Sequence, residues 1–409
     1  MSGRRTHLFV ATAPQGELVF ARRIAAELQA RGDRAVFVAP QAAAPTFGGD
    51  GIRSVVFTRS IKRLDRLIPR IIRAERCHSV VLVDAASVYG HLHWTKVDPD
   101  FLLSLDVPAI ALDTWNLPDT GIQLDYGRHP MHFSPRALDL SRRLIPAPHI
   151  RPTRKQGIYN ALPATVPPSS RERRRWRAEL GLRRGERLVL MTTSGWQLPG
   201  SQQLPHVVRS ARLLPELVAA LLARVGPHLR VLHVGPRPDV PLGKALQGRY
   251  HWRPQMPAAR FSKLVAAADL LLTFNVSSTV VGSAIAAGLP VLVGMNSHDC
   301  RTVGDALALL PARPSPMLHG WLRRAVPVHR FHLWPVGLFG FLSRVLARNP
   351  YRSAFRQIEV LEEETFRDTC RALLFDPKVA DAERERQEAY REVVRRLPTA
   401  ADWMEHYLG

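Results

Sequence analysis

Between residues 270 and 279 a run of leucines gives way to Asn275-Val276-Ser277-Ser278-Thr279, a turn of small hydroxyl and amide side chains that leads into a helix. At such a junction the first backbone N–H groups of the helix lack partners within it, and the helix dipole adds partial positive charge. An anion, typically a phosphate, is favoured there. The same residue types also form an N-cap cluster that holds no ligand. A second turn of this kind, Thr192-Thr193-Ser194-Gly195-Trp196, follows another apolar strand and offers small hydroxyls and backbone donors. Carboxylates occupy comparable places nearer the N-terminus: Asp84 and Asp113 each end an apolar run, in Val83-Asp84-Ala85 and Leu112-Asp113-Thr114-Trp115-Asn116. In a sheet covered by helices, strand ends point at the ligand crevice, where either can orient a base or accept ligand hydroxyls. The plainer reading is that they cap the following turns. Asp113 is favoured, because Trp115 and Asn116 beside it suit a ring-bearing ligand. His91 and His93, in Gly90-His-Leu-His-Trp94, stand two apart, a spacing that predicts one face of a strand; no third ligand matches it, so zinc is not expected.

These residues need a scaffold, and the apolar pattern supplies one. His7–Ala13 reads as a strand, Glu17–Arg31 as an amphipathic helix and Ala35–Ala39 as a strand, with Arg31-Gly32-Asp33 as the turn between. Val55–Thr58, Val80–Asp84 and Ala109–Asp113 are further short strands, with a helix over Ile61–Arg76. Pro146-Ala-Pro148 through Pro167-Pro168-Ser169-Ser170 is proline-rich without period and reads as an interdomain connection. After a basic helix over Arg171–Leu182, a second series starts at Leu188–Thr192 and continues through Arg230–Val234 and Leu270–Phe274 to Val291–Val293. Strands alternating with helices predict parallel sheets covered on both faces. At 409 residues, two domains are the default.

The order of pieces from His251 to Met295 is an aromatic-proline loop, a helix, a buried strand, the Ser/Thr turn, a second helix, Gly288-Leu289-Pro290 and a strand. It resembles the donor-nucleotide half of GT-B glycosyltransferases, the UDP-glycosyltransferase and MurG-like families in particular, and the chain is identified as a divergent member. The resemblance implies an α/β fold of two Rossmann-like, doubly wound domains facing a cleft: an acceptor domain over 1–165, a donor domain over 166–378 with a basic aromatic insertion at about 313–356, and C-terminal helices over 379–409 that return to the first domain. Trp252-Arg253-Pro254-Gln255 is similar to the stretch that binds the nucleobase, with Trp252 stacking on the base and Gln255 near its edge; ordinary packing is the alternative for Trp252. Asn275, Ser277, Ser278 and Thr279 match the diphosphate turn, with Thr193, Ser194 and Gly195 adding donors. Thr12-Ala-Pro-Gln-Gly16-Glu17 resembles the loop where these families place Gly-His, with Glu17 in the histidine position. A carboxylate does the work of a base if burial raises its pKa, and it also merely caps a helix N-terminus.

Two departures stand out. Ser283 occupies the place of the glutamate that holds the ribose hydroxyls in many relatives, and Asn296-Ser297-His298-Asp299 replaces the acidic-Gln pair for the sugar. Asn296 and Asp299, with His298, are the expected substitutes. The implied activity is transfer of a sugar from a nucleotide-diphosphate sugar to a small-molecule or lipid-linked acceptor, inverting and metal-independent, with Glu17 and Asp113 as the catalytic carboxylates and no cofactor beyond the donor substrate. A non-catalytic partner or activator subunit on the same fold is the alternative, motivated by the missing histidine and ribose glutamate.

Composition adds limits. Cys77, Cys300 and Cys370 are scattered and odd in number, which suits buried thiols in a reducing compartment. No run nears the ~20 apolar residues that span a bilayer, so a cytoplasmic protein is expected. The net charge of +22 rests on arginine, and Arg313 through Gln357 holds arginines but no acidic residue. Solvated charge explains much of this; a membrane surface or an anionic acceptor is the specific alternative for that segment. No nucleic-acid recognition motif accompanies the charge.

Overall fold

The computed structural model describes residues 4–13, 16–47, 54–120, 125–126, 129–130, 140–164, 168–197, 208–239 and 242–409. Pro14, Gln15 and Pro167, which fall in the loop and linker read from the sequence, lie outside the described residues. The chain forms two compact units: residues 1–163 with 392–409, and residues 164–391. The second boundary falls inside the helix Pro377–Arg395.

In the first unit the strands are β1 (Thr6–Ala11), β2 (Arg34–Pro40), β3 (Ser54–Thr58), β4 (Ser79–Val83), β5 (Ala109–Leu112), a small antiparallel pair β6 (Asp125–Tyr126) and β7 (His129–Pro130), then β8 (Arg143–Ala147) and β9 (Ile158–Asn160). Helices α1 (Glu17–Ala30), α2 (Leu64–Glu75) and α3 (Ala85–Trp94) join the early strands. The main sheet has the order β3-β2-β1-β4-β5-β8-β9, with parallel pairings. Its central strands are apolar at successive positions because both faces are covered: Phe9 and Ala11 enter one core with α1, Leu8 and Val10 another with α2 and α3. The C-terminal helix Ala400–Leu408 adds Ala400, Ala401 and Met404 to the α1 core, and Arg31 bonds Thr399, Asp402 and Glu405 around its start.

The second unit has β10 (Arg187–Thr192), β11 (Leu229–Val234), β12 (Tyr250–Arg253), β13 (Leu270–Thr273), β14 (Val291–Met295) and β15 (Arg356–Glu359), all parallel, in the order β12-β11-β10-β13-β14-β15. In this unit α4 (Ser170–Glu179) opens with a capping box from Ser169 and Glu172, and α5 (Thr279–Ala286) joins β13 to β14. Counted within the unit, the order is 3-2-1-4-5-6, the doubly wound arrangement whose direction reverses between its first and fourth strands. The basic aromatic segment is folded into this unit: Trp321, Phe331 and Trp334 belong to its core, Tyr351 is fully buried, and short bridges tie Leu333 to Asn275 and Phe331 to Asn296. No helix among the described residues is long and apolar enough to cross a membrane.

Six described strands escaped the sequence reading: the short pair β6 and β7, and β8, β9, β12 and β15. β9 lies in what reads as a structureless connection, and β12 in what reads as an aromatic-proline loop. Both are sheet edges, and β12 alternates half-buried with exposed residues, so neither shows the continuous apolar run of a central strand. β15, also an edge, carries only Ile358 as a buried apolar residue.

Candidate functional site

In each unit the candidate residues gather at the carboxyl ends of the strands flanking the reversal point, where open α/β sheets bind ligands. In the second unit these strands are β10 and β13. The chain leaves β13 through Phe274 and turns at Asn275, whose Oδ1 accepts from Ser277 N (2.9 Å) and Ser277 Oγ (2.8 Å), while Ser278 N donates to the Asn275 carbonyl (3.2 Å). Asn275 is buried and builds the turn, and Ser277 spends its hydroxyl on it. Ser278 then opens α5 in an extended conformation, and no side chain caps the helix. Ser277, Ser278, Thr279 and Val280 are half-buried, so the uncapped first turn reaches the surface. An uncapped helix start of this kind leaves amides and positive dipole able to receive an anion.

The β10 turn differs from expectation. Thr193 N donates to Val234 O (3.1 Å) and Ser194 N to Gln197 Oε1 (2.5 Å), so these two amides are not free to meet a phosphate. Gln197 is fully buried and passes its own amide to Trp334 O (2.7 Å), while Trp334 N donates to Phe274 O (2.9 Å), so the β10 turn is fastened to the β13 turn. Thr193 Oγ1 lies 2.7 Å from His233 Nε2, and His233 Nδ1 lies 2.7 Å from the Tyr250 hydroxyl. Burial holds His233 neutral, down to about 4 from an ordinary 6.5. Gly235 is obligatory beside this chain: a Cβ there would stand 2.3 Å from the Thr193 carbonyl oxygen. The glutamine, histidine and tyrosine of this network have no assigned role in the sequence reading, because nothing local marks their partners.

Trp252 on β12 donates its indole N–H to Gly235 O (3.0 Å), which fixes the half-buried ring, and Arg237 lies 5.8 Å from its centroid. Gln255 is exposed and approaches Gly195. Ser283 Oγ bonds back to Thr279 O (3.2 Å) in its own helix. Asn296 does not serve as a sugar ligand: it is fully buried, its Nδ2 donates to the carbonyls of His298 (2.7 Å) and His329 (2.8 Å), and its Oδ1 accepts from His298 N. That side chain is spent on holding the loop after β14. Asp299 is exposed and pairs with His329 at 3.4 Å.

In the first unit the reversal point lies between β1 and β4. The register sets Ala11 beside Val83, the residue before Asp84. Asp84 has φ 55°, ψ 81°, a left-handed conformation that an Asp tolerates better than most residues, and it starts α3. It is buried; its Oδ2 takes the Ser87 hydroxyl and its Oδ1 has no partner. Glu17 is half-buried as a residue, yet its Oε2 is sealed from solvent and also unpartnered. Burial raises the Glu17 carboxyl above the ordinary range. Burial first, then the charge of Glu17, pushes Asp84 well above it. Asp113, after β5, is raised to about 6 by burial, against amide bonds from Leu117 and Trp115 and the guanidinium of Arg143 at 3.9 Å. The ring and amide beside Asp113 are not open to a ligand: Trp115 is buried and stacks on His149 at 5.9 Å, and Asn116 donates to Asp119 (2.9 Å). His91 and His93 sit on α3, not a strand, so two-residue spacing turns them apart; His91 Nδ1 lies 2.9 Å from Thr12 Oγ1, and His93 is exposed. Among the described residues no three His, Cys, Asp or Glu side chains are arranged to hold a metal.

A family profile described as "Family of unknown function (DUF6365)" matches residues 24–408. The chain belongs to the DUF6365 family. No curated protein matches it by sequence. Its fold is GT-B, as solved structures show. The glycosyltransferase of kitacinnamycin is 14% identical with a TM-score of 0.54, covering 100% of each chain. Anabaena HepE, solved with UDP and glucose, is 12% identical with a TM-score of 0.53 over 99% of each chain. VinC, solved with dTDP, is 16% identical with a TM-score of 0.53 over 98% of each chain. At these identities the likeness carries the fold, and this DUF6365 protein's chemistry has to come from its own residues.

Proposed function

We propose that the protein is a glycosyltransferase that takes a sugar from a nucleoside-diphosphate donor. The observation that carries this reading is the uncapped, surface-reaching N-terminus of α5 at the reversal point of the second sheet. It offers amides and positive dipole to a diphosphate, and catalysis of sugar transfer depends on stabilising that group as it leaves. The half-buried face of Trp252, held by Gly235, is the platform for the base. That HepE is solved with UDP and glucose, and VinC with dTDP, agrees with a donor of this class.

In the proposed reaction an acceptor hydroxyl gives its proton to Glu17 as its oxygen attacks the anomeric carbon from the face opposite the diphosphate. The bond from that carbon to the phosphate oxygen breaks, the diphosphate leaves with the electron pair, and the configuration inverts. Burial suits Glu17 to this role, since a carboxyl raised toward neutrality is a more effective base. Asp113 is a second carboxylate, after β5 and two strands from β1, anchored by backbone amides. Ser283 at the ribose position, with its hydroxyl turned back into α5, leaves the sugar and base to be read by other groups. The test is Glu17→Gln, assayed for sugar release from a panel of nucleotide sugars and for nucleotide binding by calorimetry. Turnover should fall by at least about a hundredfold while binding persists; undiminished turnover removes Glu17 from the mechanism.

A further inference from the structure

The pairing that holds β13 in its sheet stops at Thr273, opposite Thr192 of β10 and Val293 of β14. Phe274, Asn275 and Val276 lie beyond that ladder and carry the chain to the uncapped start of α5. Their backbone is held instead by a hairpin of the basic aromatic segment, closed by His332 N to Gly337 O (3.0 Å) and Gly337 N to Leu333 O (2.9 Å). From this hairpin Trp334 N donates to Phe274 O (2.9 Å), His332 O accepts from Val276 N (3.4 Å), and Leu333 bridges to Asn275. The direction of the first α5 amides therefore depends on where the hairpin stands.

One side chain ties that hairpin to the neighbouring strand end. Gln197 is fully buried, its Nε2 donates to Trp334 O (2.7 Å), and its Oε1 accepts from Ser194 N (2.5 Å) after β10. The backbone of Trp334 is thus shared out, its carbonyl to the β10 side and its N–H to the β13 side. A buried amide is tolerated because both of its ends are bonded. What it adds over an apolar side chain of the same size is a fixed spacing between the two turns.

We propose that Gln197 is a positioning residue for the donor diphosphate, acting through the Trp334 backbone rather than on the ligand. The inference rests on the donor side of the proposed function. Hydrogen bonds from N–H groups to an anion are strong when aligned and weaken steeply when they are not. Releasing the hairpin from β10 turns the α5 amides out of line, so the loss falls on the diphosphate part of a nucleotide. The nucleoside part keeps its platform, because Trp252 is fixed by Gly235 O (3.0 Å) and not by the hairpin. A defect split in this way marks positioning, whereas general loosening of the unit weakens both parts together.

The test compares the full-length wild type with Gln197→Leu, using UDP and dTDP in calorimetry and uridine and thymidine in ligand-observed NMR. Diphosphate affinity should fall about tenfold or more in the variant, the worth of one amide bond to a charged group, while nucleoside affinity is retained. Unchanged diphosphate affinity overturns the proposal, as does an equal loss for diphosphate and nucleoside. Gln197→Glu decides the question where the leucine variant folds poorly. Its neutral acid can make both bonds, whereas its carboxylate cannot donate to Trp334 O, so its diphosphate affinity relative to wild type should recover from pH 8.5 to pH 6. A ratio that does not move with pH overturns the proposal. Wild type that binds neither diphosphate sinks the donor reading and this inference with it, whereas normal wild-type binding with an unaffected variant sinks this inference alone.

Discussion

His233 gives the most quantitative prediction. Its ring is fully buried between Thr193 Oγ1 and the Tyr250 hydroxyl, both at 2.7 Å, and stays neutral until about pH 4. In the unfolded chain the same ring takes its proton at the ordinary 6.5. Between those values the unfolded state binds the extra proton, so acid favours unfolding. The stability due to the neutral ring is complete above about 6.5 and is lost as pH falls toward 4. The full displacement corresponds to about 3 kcal/mol, most of which has gone by pH 4.5. The perturbation is His233→Gln, which keeps an amide near Thr193 and cannot titrate. Urea unfolding of both proteins at pH 7.5 and at pH 4.5 isolates the ring, because Asp113, His332 and the other titrating groups are common to both. The stability margin of the wild type over the variant should shrink by about 2–3 kcal/mol on acidification. A margin that does not change with pH would refute the assignment of a buried neutral imidazole linking the two side chains.

Gly235→Ala would place a Cβ 2.3 Å from Thr193 O and 2.4 Å from Thr193 Oγ1 at φ +148°, so it should cost about 2 kcal/mol or more in urea unfolding and weaken nucleotide binding by displacing the β10 turn. Unfolding at the wild-type midpoint would contradict that close approach. Asp269→Ala removes the acceptor of Arg173 (2.8 Å), Arg177 (2.7 Å) and Leu188 N (2.8 Å), leaving that amide unpaired and two partly buried guanidiniums without their counter-ion, held only by the carbonyls of Ala266, Ala267 and Glu186. The expected loss is about 3 kcal/mol, checked by thermal and urea unfolding.

What the sequence discloses follows from which residues face apolar cores on both sides. Runs such as Leu8–Ala11, Val80–Val83 and Leu270–Leu272 are continuous because helices cover each face of the sheet, so the central strands and their order of appearance can be read directly. Edge strands lack that second face, which is why Tyr250–Arg253 reads as a loop and Ile158–Asn160 as a linker. The Ser/Thr turn is legible because its chemistry is local: a strand end, small hydroxyls, a helix start. Asn296 and the amide of Thr193 are not, since their partners at His329 and Val234 lie elsewhere in the chain. The histidine pair misleads for a related reason. A two-residue spacing reads as a strand face, while the chain there follows the helical period of Ala85–Trp94.

Hydrogen–deuterium exchange of the full-length protein, with and without saturating UDP or dTDP, measures the donor site directly. The account expects slowed exchange concentrated in the amides of Ser277 through Val281, at the start of α5, with a smaller effect around Trp252. If neither nucleotide, nor any other nucleoside diphosphate, alters exchange in that turn, the diphosphate site is not there and the proposed transfer loses its foundation.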